Sequence, residues 1–167
     1  MQVNGYILKE TIKRFVLDLT TQKRLLPDTF KQFEVAISPI TVAEEVIRLS
    51  IAIAELEHFR QLYNTSQNVT FEGKSISLSV ALKTQDVFSQ LESSFRNSVA
   101  GKKDRYSLRE EERDPEKEYK IKAITDEKAL EMARNYAKLN AMMRQEIAKA
   151  NAQMMDLPEK YEKYFIG

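Results

Sequence analysis

With 167 residues, the chain is long enough for one domain with a real core. Apolar residues at 43% and charged residues at 31% suit a helical protein with long solvated faces, and four Gly with four Pro leave few interruptions. Zero Cys excludes disulfides, thiol nucleophiles and thiolate metal sites, and a net charge of +1 argues against a molecule built to coat long nucleic acid. No stretch approaches the ~20 consecutive apolar residues of a membrane span. Met1-Gln2-Val3-Asn4-Gly5 does not open as a secretory signal does, so a soluble, cytoplasmic protein is expected. Asn64-Thr-Ser and Asn68-Val-Thr are then chance matches to the glycosylation triplet.

A first helix is predicted from Tyr6 to Leu25, with Leu8, Ile12, Phe15, Val16 and Leu19 on one stripe and Pro27-Asp28 ending it. Phe30, Phe33, Val35 and Ile37 make the following connector apolar enough to pack on the core. Thr41-Val-Ala-Glu44 reads as a capping box, with Pro39 blocking an earlier start. Val42, Val46, Leu49, Ile53, Leu56, Arg60 and Tyr63 then form a heptad seam. Ile47 and Ile51 add a second apolar flank, so this helix is expected to be buried on two sides.

After a polar break at 64–68, Val69-Thr-Phe-Glu reads as a short strand turning at Gly73. A third helix begins with Ser75 or Ser77 as its cap, carries Leu78, Leu82, Phe88, Leu91, Phe95 and Val99, and stops at Gly101. Residues 102–122 mix eight Lys and Arg with seven Asp and Glu. Two readings stand side by side: a solvated charged loop, or a β-hairpin arm with strands at Arg105-Tyr-Ser-Leu-Arg and Tyr119-Lys-Ile-Lys-Ala. Thr125 or Asp126 caps the last helix, predicted to reach Leu157. Its seam is Ala129, Ala133, Tyr136, Asn140, Met143, Ile147, Ala150 and Met154. Asn140 there serves as a register-fixing polar residue or makes an ordinary internal hydrogen bond. The aromatic tail 159–167 is expected to dock on a neighbour.

The predicted fold is therefore mainly α: a single helical domain over 1–167, an antiparallel bundle of long heptad helices with a short β-hairpin or arm. Two heptad helices, the arm and the tail exceed what one bundle needs, so a homo-oligomer is expected.

Catalytic candidates are lacking. His58 is the sole His, and no nucleophile elbow surrounds any Ser. Glu55 and His58 have the Glu-x-x-His spacing of di-iron bundles, but those sites need the motif twice, so neither a metal nor a cofactor is expected. No Gly-rich phosphate loop occurs. Guanidinium groups fork onto phosphate oxygens instead. Arg96, Arg105, Arg109 and Arg113, beside Lys102 and Lys103, are the candidates, with Phe71 or Tyr106 to stack on a base. The competing reading pairs these Arg with Glu110, Glu111 and Glu112.

Tyr63-Asn-Thr-Ser, Val69-Thr-Phe-Glu-Gly-Lys-Ser-Ile-Ser-Leu-Ser-Val-Ala-Leu and Met143-Arg-Gln-Glu-Ile-Ala-Lys-Ala-Asn-Ala resemble the septicolysin-like family of small bacterial and phage proteins. The chain departs from that pattern at Thr84-Gln85-Asp86, where Arg-Asp is usual. The family name implies a toxin, yet no freestanding basic amphipathic helix supports membrane lysis. The arm followed by a long helix is also similar to phage Thoeris anti-defence proteins. That resemblance implies an oligomer sequestering a cyclic nucleotide between Arg and aromatic residues of two chains. The expected function is thus a non-enzymatic sponge for a small phosphorylated nucleotide, and the alternative is a helical interaction or structural protein without a ligand.

Overall fold

The computed structural model describes residues 1–29, 38–99 and 124–165. It is mainly helical, with two small antiparallel strand pairs. The expected connector residues Phe30, Phe33, Val35 and Ile37, the stop at Gly101 and the charged arm lie outside the described residues.

Strand β1 (Gln2–Val3) leads into α1 (Gly5–Thr29). Asn4 starts the helix, its Oδ1 accepting from the Ile7 N–H at 3.0 Å, so α1 begins a residue before the expected Tyr6. Pro27 does not end it. Without an N–H, Pro27 gives up one helical bond, but α1 continues to Thr29, whose hydroxyl donates to the Leu26 carbonyl at 2.7 Å. Leu8, Ile12 and Phe15 of the expected stripe are buried, whereas Val16 is exposed.

Helix α2 (Pro39–Ser66) begins earlier than the Thr41 capping box implies. Ser38 is its cap, accepting from the Ile40 N–H at 3.2 Å, and Pro39 occupies the first turn, where its missing N–H costs nothing. The buried face is Val42, Leu49, Ala52, Leu56, Phe59 and Tyr63. Arg60, which the seam included, is exposed.

Strands β2 (Asn68–Phe71) and β3 (Lys74–Ser77) pair antiparallel, Val69 opposite Ile76 and Phe71 opposite Lys74. The single expected strand is thus a hairpin. Its turn uses Glu72 (φ 49°) and Gly73 (φ 76°), both left-handed, which matches the natural strand twist. Ser75 lies within β3, and Ser77 caps α3 (Leu78–Val99) by accepting from the Val80 N–H at 3.3 Å.

Helix α4 (Asp126–Asn151) starts on Thr125, whose hydroxyl accepts from the Lys128 N–H at 3.2 Å. Its seam is buried at Ala129, Ala133, Asn140, Met143, Ile147 and Ala150. The helix stops at Asn151 rather than Leu157, because β4 (Met155–Asp156) pairs with Gln2–Val3; Met154 is exposed beyond the helix end. Helix α5 (Glu159–Glu162) follows.

The chain divides into two compact units. The first comprises Met1–Val80 and Glu146–Gly167, the second Ala81–Gln145. In the first, Tyr63 is a hub: its hydroxyl donates to the Ala150 and Gln153 carbonyls at 3.0 and 2.8 Å. A Cβ on Gly5 would meet Asn151 Oδ1 at 2.3 Å and the Tyr63 ring at 3.1 Å, so a larger residue there must displace the Asn151 amide and crowd the Tyr63 ring. The tail docks within its own chain: Tyr161 and Tyr164 are buried, and the Met1 ammonium contacts Glu162 at 2.8 Å. In the second unit Tyr136 stacks on Phe95 (5.8 Å, 14°) and lies 6.3 Å from Phe88.

Candidate functional site

The residues expected to hold a phosphorylated ligand are only partly described. Arg105, Arg109, Arg113 and Tyr106 fall outside the described residues. Arg96 is exposed near the end of α3, in the second unit, and one of its Nη atoms donates to Glu92 at 2.9 Å. Phe71 sits half-buried at the end of β2, in the first unit. The described part of the expected site is therefore one exposed guanidinium paired with the Glu92 carboxylate, and one ring beside a tight turn.

Two features of the first unit carry more geometry. One is the tail clamp. Glu55 and His58, three residues apart, share a face of α2. Tyr164 Oη donates to Glu55 Oε2 at 2.6 Å, and Lys163 Nζ lies 3.5 Å from the same oxygen. The Tyr164 hydroxyl, helped by Lys163, holds the Glu55 carboxyl below the usual carboxylate range. Burial, then the hydrogen bond to Glu55, pushes the Tyr164 phenol up. The Tyr164 ring meets Phe15 edge-on at 5.6 Å, and Arg14 Nη2 donates to the Tyr164 carbonyl at 3.1 Å. Tyr161 packs on Phe59 at 4.9 Å. Lys160 and Lys163 each sit 4.7 Å over a tail tyrosine ring and, with Ala54, Glu55 and His58, line a shallow open depression.

Glu55 is therefore engaged in holding the tail, while His58 is exposed and lines the depression beside it. Among the described residues no group of three His, Asp or Glu is placed to hold a metal ion. Sequence reasoning identified Glu55 and His58 by their spacing but missed Tyr164 as the partner. The signal present was the aromatic tail itself, Tyr161 and Tyr164 at helical spacing with Lys160 and Lys163 beside them.

The second feature is the solvent side of α2. At about 100° per residue, Ile40, Ile47, Ile51, Ala54 and His58 fall on one strip, opposite the buried face. Ile40, Ile47 and Ile51 remain 71%, 60% and 54% exposed. The expectation that α2 is covered on two sides is thus unmet among the described residues: one side is buried, and the other is apolar and open. Glu44 and Glu45 lie towards its N-terminal end, where Arg48 closes a 2.6 Å ion pair with Glu45 that lowers the Glu45 carboxyl.

These observations define a mainly helical protein with an exposed apolar helix face and an internally clamped tail; among the described residues no helix is long and apolar enough to cross a membrane. No family model matches the chain, and no curated protein or solved structure matches it.

Proposed function

We propose that this protein acts by binding rather than catalysis: a self-associating helical protein of the cytoplasm that sequesters a small phosphorylated nucleotide. The observation that carries the self-association is the second apolar face of α2, where three isoleucines stay more than half exposed on a helix whose other face is already packed. The ligand half rests on charge and resemblance. Arg96 presents an exposed guanidinium at the end of α3, leading towards the run that contains Arg105, Arg109 and Arg113. A guanidinium has five donors in a fork that fits phosphate oxygens, and a bond to Glu92 leaves others to use. The resemblance to phage Thoeris anti-defence proteins favours a cyclic nucleotide, and a phage setting, over other anions.

The test is thermal unfolding of the full chain against a panel of cyclic nucleotides and cyclic ADP-ribose isomers. A ligand present at about 100 times its dissociation constant adds about 2.7 kcal/mol to the native state. The expected result is such a shift, lost in Arg105→Ala and Arg109→Ala. A flat panel overturns the sequestering half. The Arg96–Glu92 pair favours a second reading in that case: a helical interaction or structural protein whose charged groups satisfy one another.

A further inference from the structure

We propose that the open face of α2 pairs antiparallel with the same face of a second copy, forming a twofold dimer centred between Ile47 and Ile51. This deepens the self-association proposed above and rests on it. The argument begins with spacing. Ile40, Glu44, Ile47, Ile51, Ala54 and His58 alternate steps of four and three, the repeat of a helix seam that meets another helix along its length. All lie on the side of α2 away from Leu49, Leu56 and Tyr63, so pairing there leaves the packed core untouched.

Charge then selects orientation and partner. Towards the N-terminal end of the strip Glu44 is exposed, while Glu45 is neutralised by Arg48. At the other end His58 is exposed, Lys160 and Lys163 edge the depression beside Ala54, and Glu55 is already engaged by Tyr164 and Lys163. With Lys163 paired to Glu55, Glu44 is left as the acid of one end and Lys160 as the base of the other. A parallel dimer sets Glu44 against the partner's Glu44 and Lys160 against the partner's Lys160. An antiparallel dimer about the Ile47–Ile51 midpoint sets Ile47 against the partner's Ile51 and Ile40 against the partner's His58. Glu44 then falls beside the partner's Ala54, at the edge carrying the partner's Lys160. The strip is complementary to itself under a twofold rotation, which is what an isologous interface requires.

From Ile40 to His58 the strip is about 27 Å long. A strip of that length and one helix width covers less than the ~800 Å² per partner of a standard stable interface. The association is therefore concentration-dependent rather than obligate.

The experiment uses the full chain in sedimentation over a dilution series. A monomer–dimer equilibrium is expected, and Ile47→Asp and Ile51→Asp shift it to monomer with unchanged helical circular dichroism. Ile47→Gln and Ile51→Gln give a milder loss and serve if the charged variants misfold. Orientation is read by cysteine cross-linking, which the Cys-free chain makes clean. A mixture of Ile40→Cys and His58→Cys chains should cross-link through a short bis-maleimide, and neither should do so alone. A monomer at every concentration overturns both this inference and the self-association. An oligomer indifferent to Ile47→Asp, or one in which Ile40→Cys links to itself, overturns this interface while leaving self-association through another surface or orientation.

Discussion

Asn140 occupies a seam position of α4 and is 4% exposed, yet its Oδ1 has no hydrogen-bond partner among the described residues. A buried acceptor left unsatisfied costs about 1–3 kcal/mol, whereas a well-packed apolar replacement carries no such cost. Its neighbours on the seam are Tyr136, whose ring stacks on Phe95, and the buried Met143. Asn140→Leu should therefore stabilise the protein, and for a chain of this size each kcal/mol raises Tm by roughly 2–4 °C. Calorimetry of the variant decides the matter, since a lower Tm would mean that the amide oxygen is bonded in solution and the penalty is not there. Gly5 shows the opposite logic. There the missing side chain is the functional part, because Asn151 and Tyr63 occupy the space a Cβ would need. Neither property is visible in composition: a seam Asn and an N-terminal Gly become telling only once their neighbours are placed.

At the scale of elements, the tail clamp should respond to pH from both sides. Glu55, with its carboxyl lowered, contributes stability above the ordinary carboxylate range, lost as pH falls through its lowered value. Tyr164, with its phenol raised, contributes stability below the ordinary phenol value of about 10, lost as pH rises through its raised value. Denaturant midpoints should thus form a plateau with an acid and an alkaline shoulder, and Tyr164→Phe, which keeps the ring against Phe15, should reduce both. The shoulders shrink rather than vanish, because Glu45 also titrates low beside Arg48, while Tyr63 and the Met1 ammonium also titrate high. Shoulders unchanged in the variant would rule out the Glu55–Tyr164 bond as their source. Much of the architecture was legible from periodicity: the α4 seam from Ala129 to Ala150, the Thr125 cap and the Ser77 cap are as spacing implied. The misses share a cause. The α4 end depends on Met155–Asp156 finding Gln2–Val3, a long-range pairing that local pattern does not encode. The second hairpin strand, Lys74–Ser77, is too polar to signal itself, and its turn places a non-glycine residue, Glu72, at positive φ. The expected ligand site was legible only as charge, since spacing alone does not say which carboxylate each Arg meets, and Arg96 meets Glu92.

Across the whole molecule, the chain ends are tied into one place in the first unit. β1 pairs with β4, the Leu157 N–H donates to the Met1 carbonyl at 2.9 Å, and the Met1 ammonium reaches Glu162. The tail adds two buried rings, Tyr161 on Phe59 and Tyr164 on Phe15, and these rings touch α2 and α1 respectively. The exposed ion pair contributes little against water, so the rings carry the stabilisation. Removing a buried aromatic side chain costs about 3–5 kcal/mol, a large share of the ~5–15 kcal/mol that separates folded from unfolded domains. A chain ended at Pro158 loses both rings and leaves Phe59 and Phe15 facing water. It should therefore unfold at much lower urea than the full chain, with Tyr161→Ala and Tyr164→Ala each accounting for part of the drop. A truncated chain with the original urea midpoint would show that the tail only rests on the first unit. The stability of that unit would then have to come from α1 against α2 and from the Tyr63 bonds to Ala150 and Gln153.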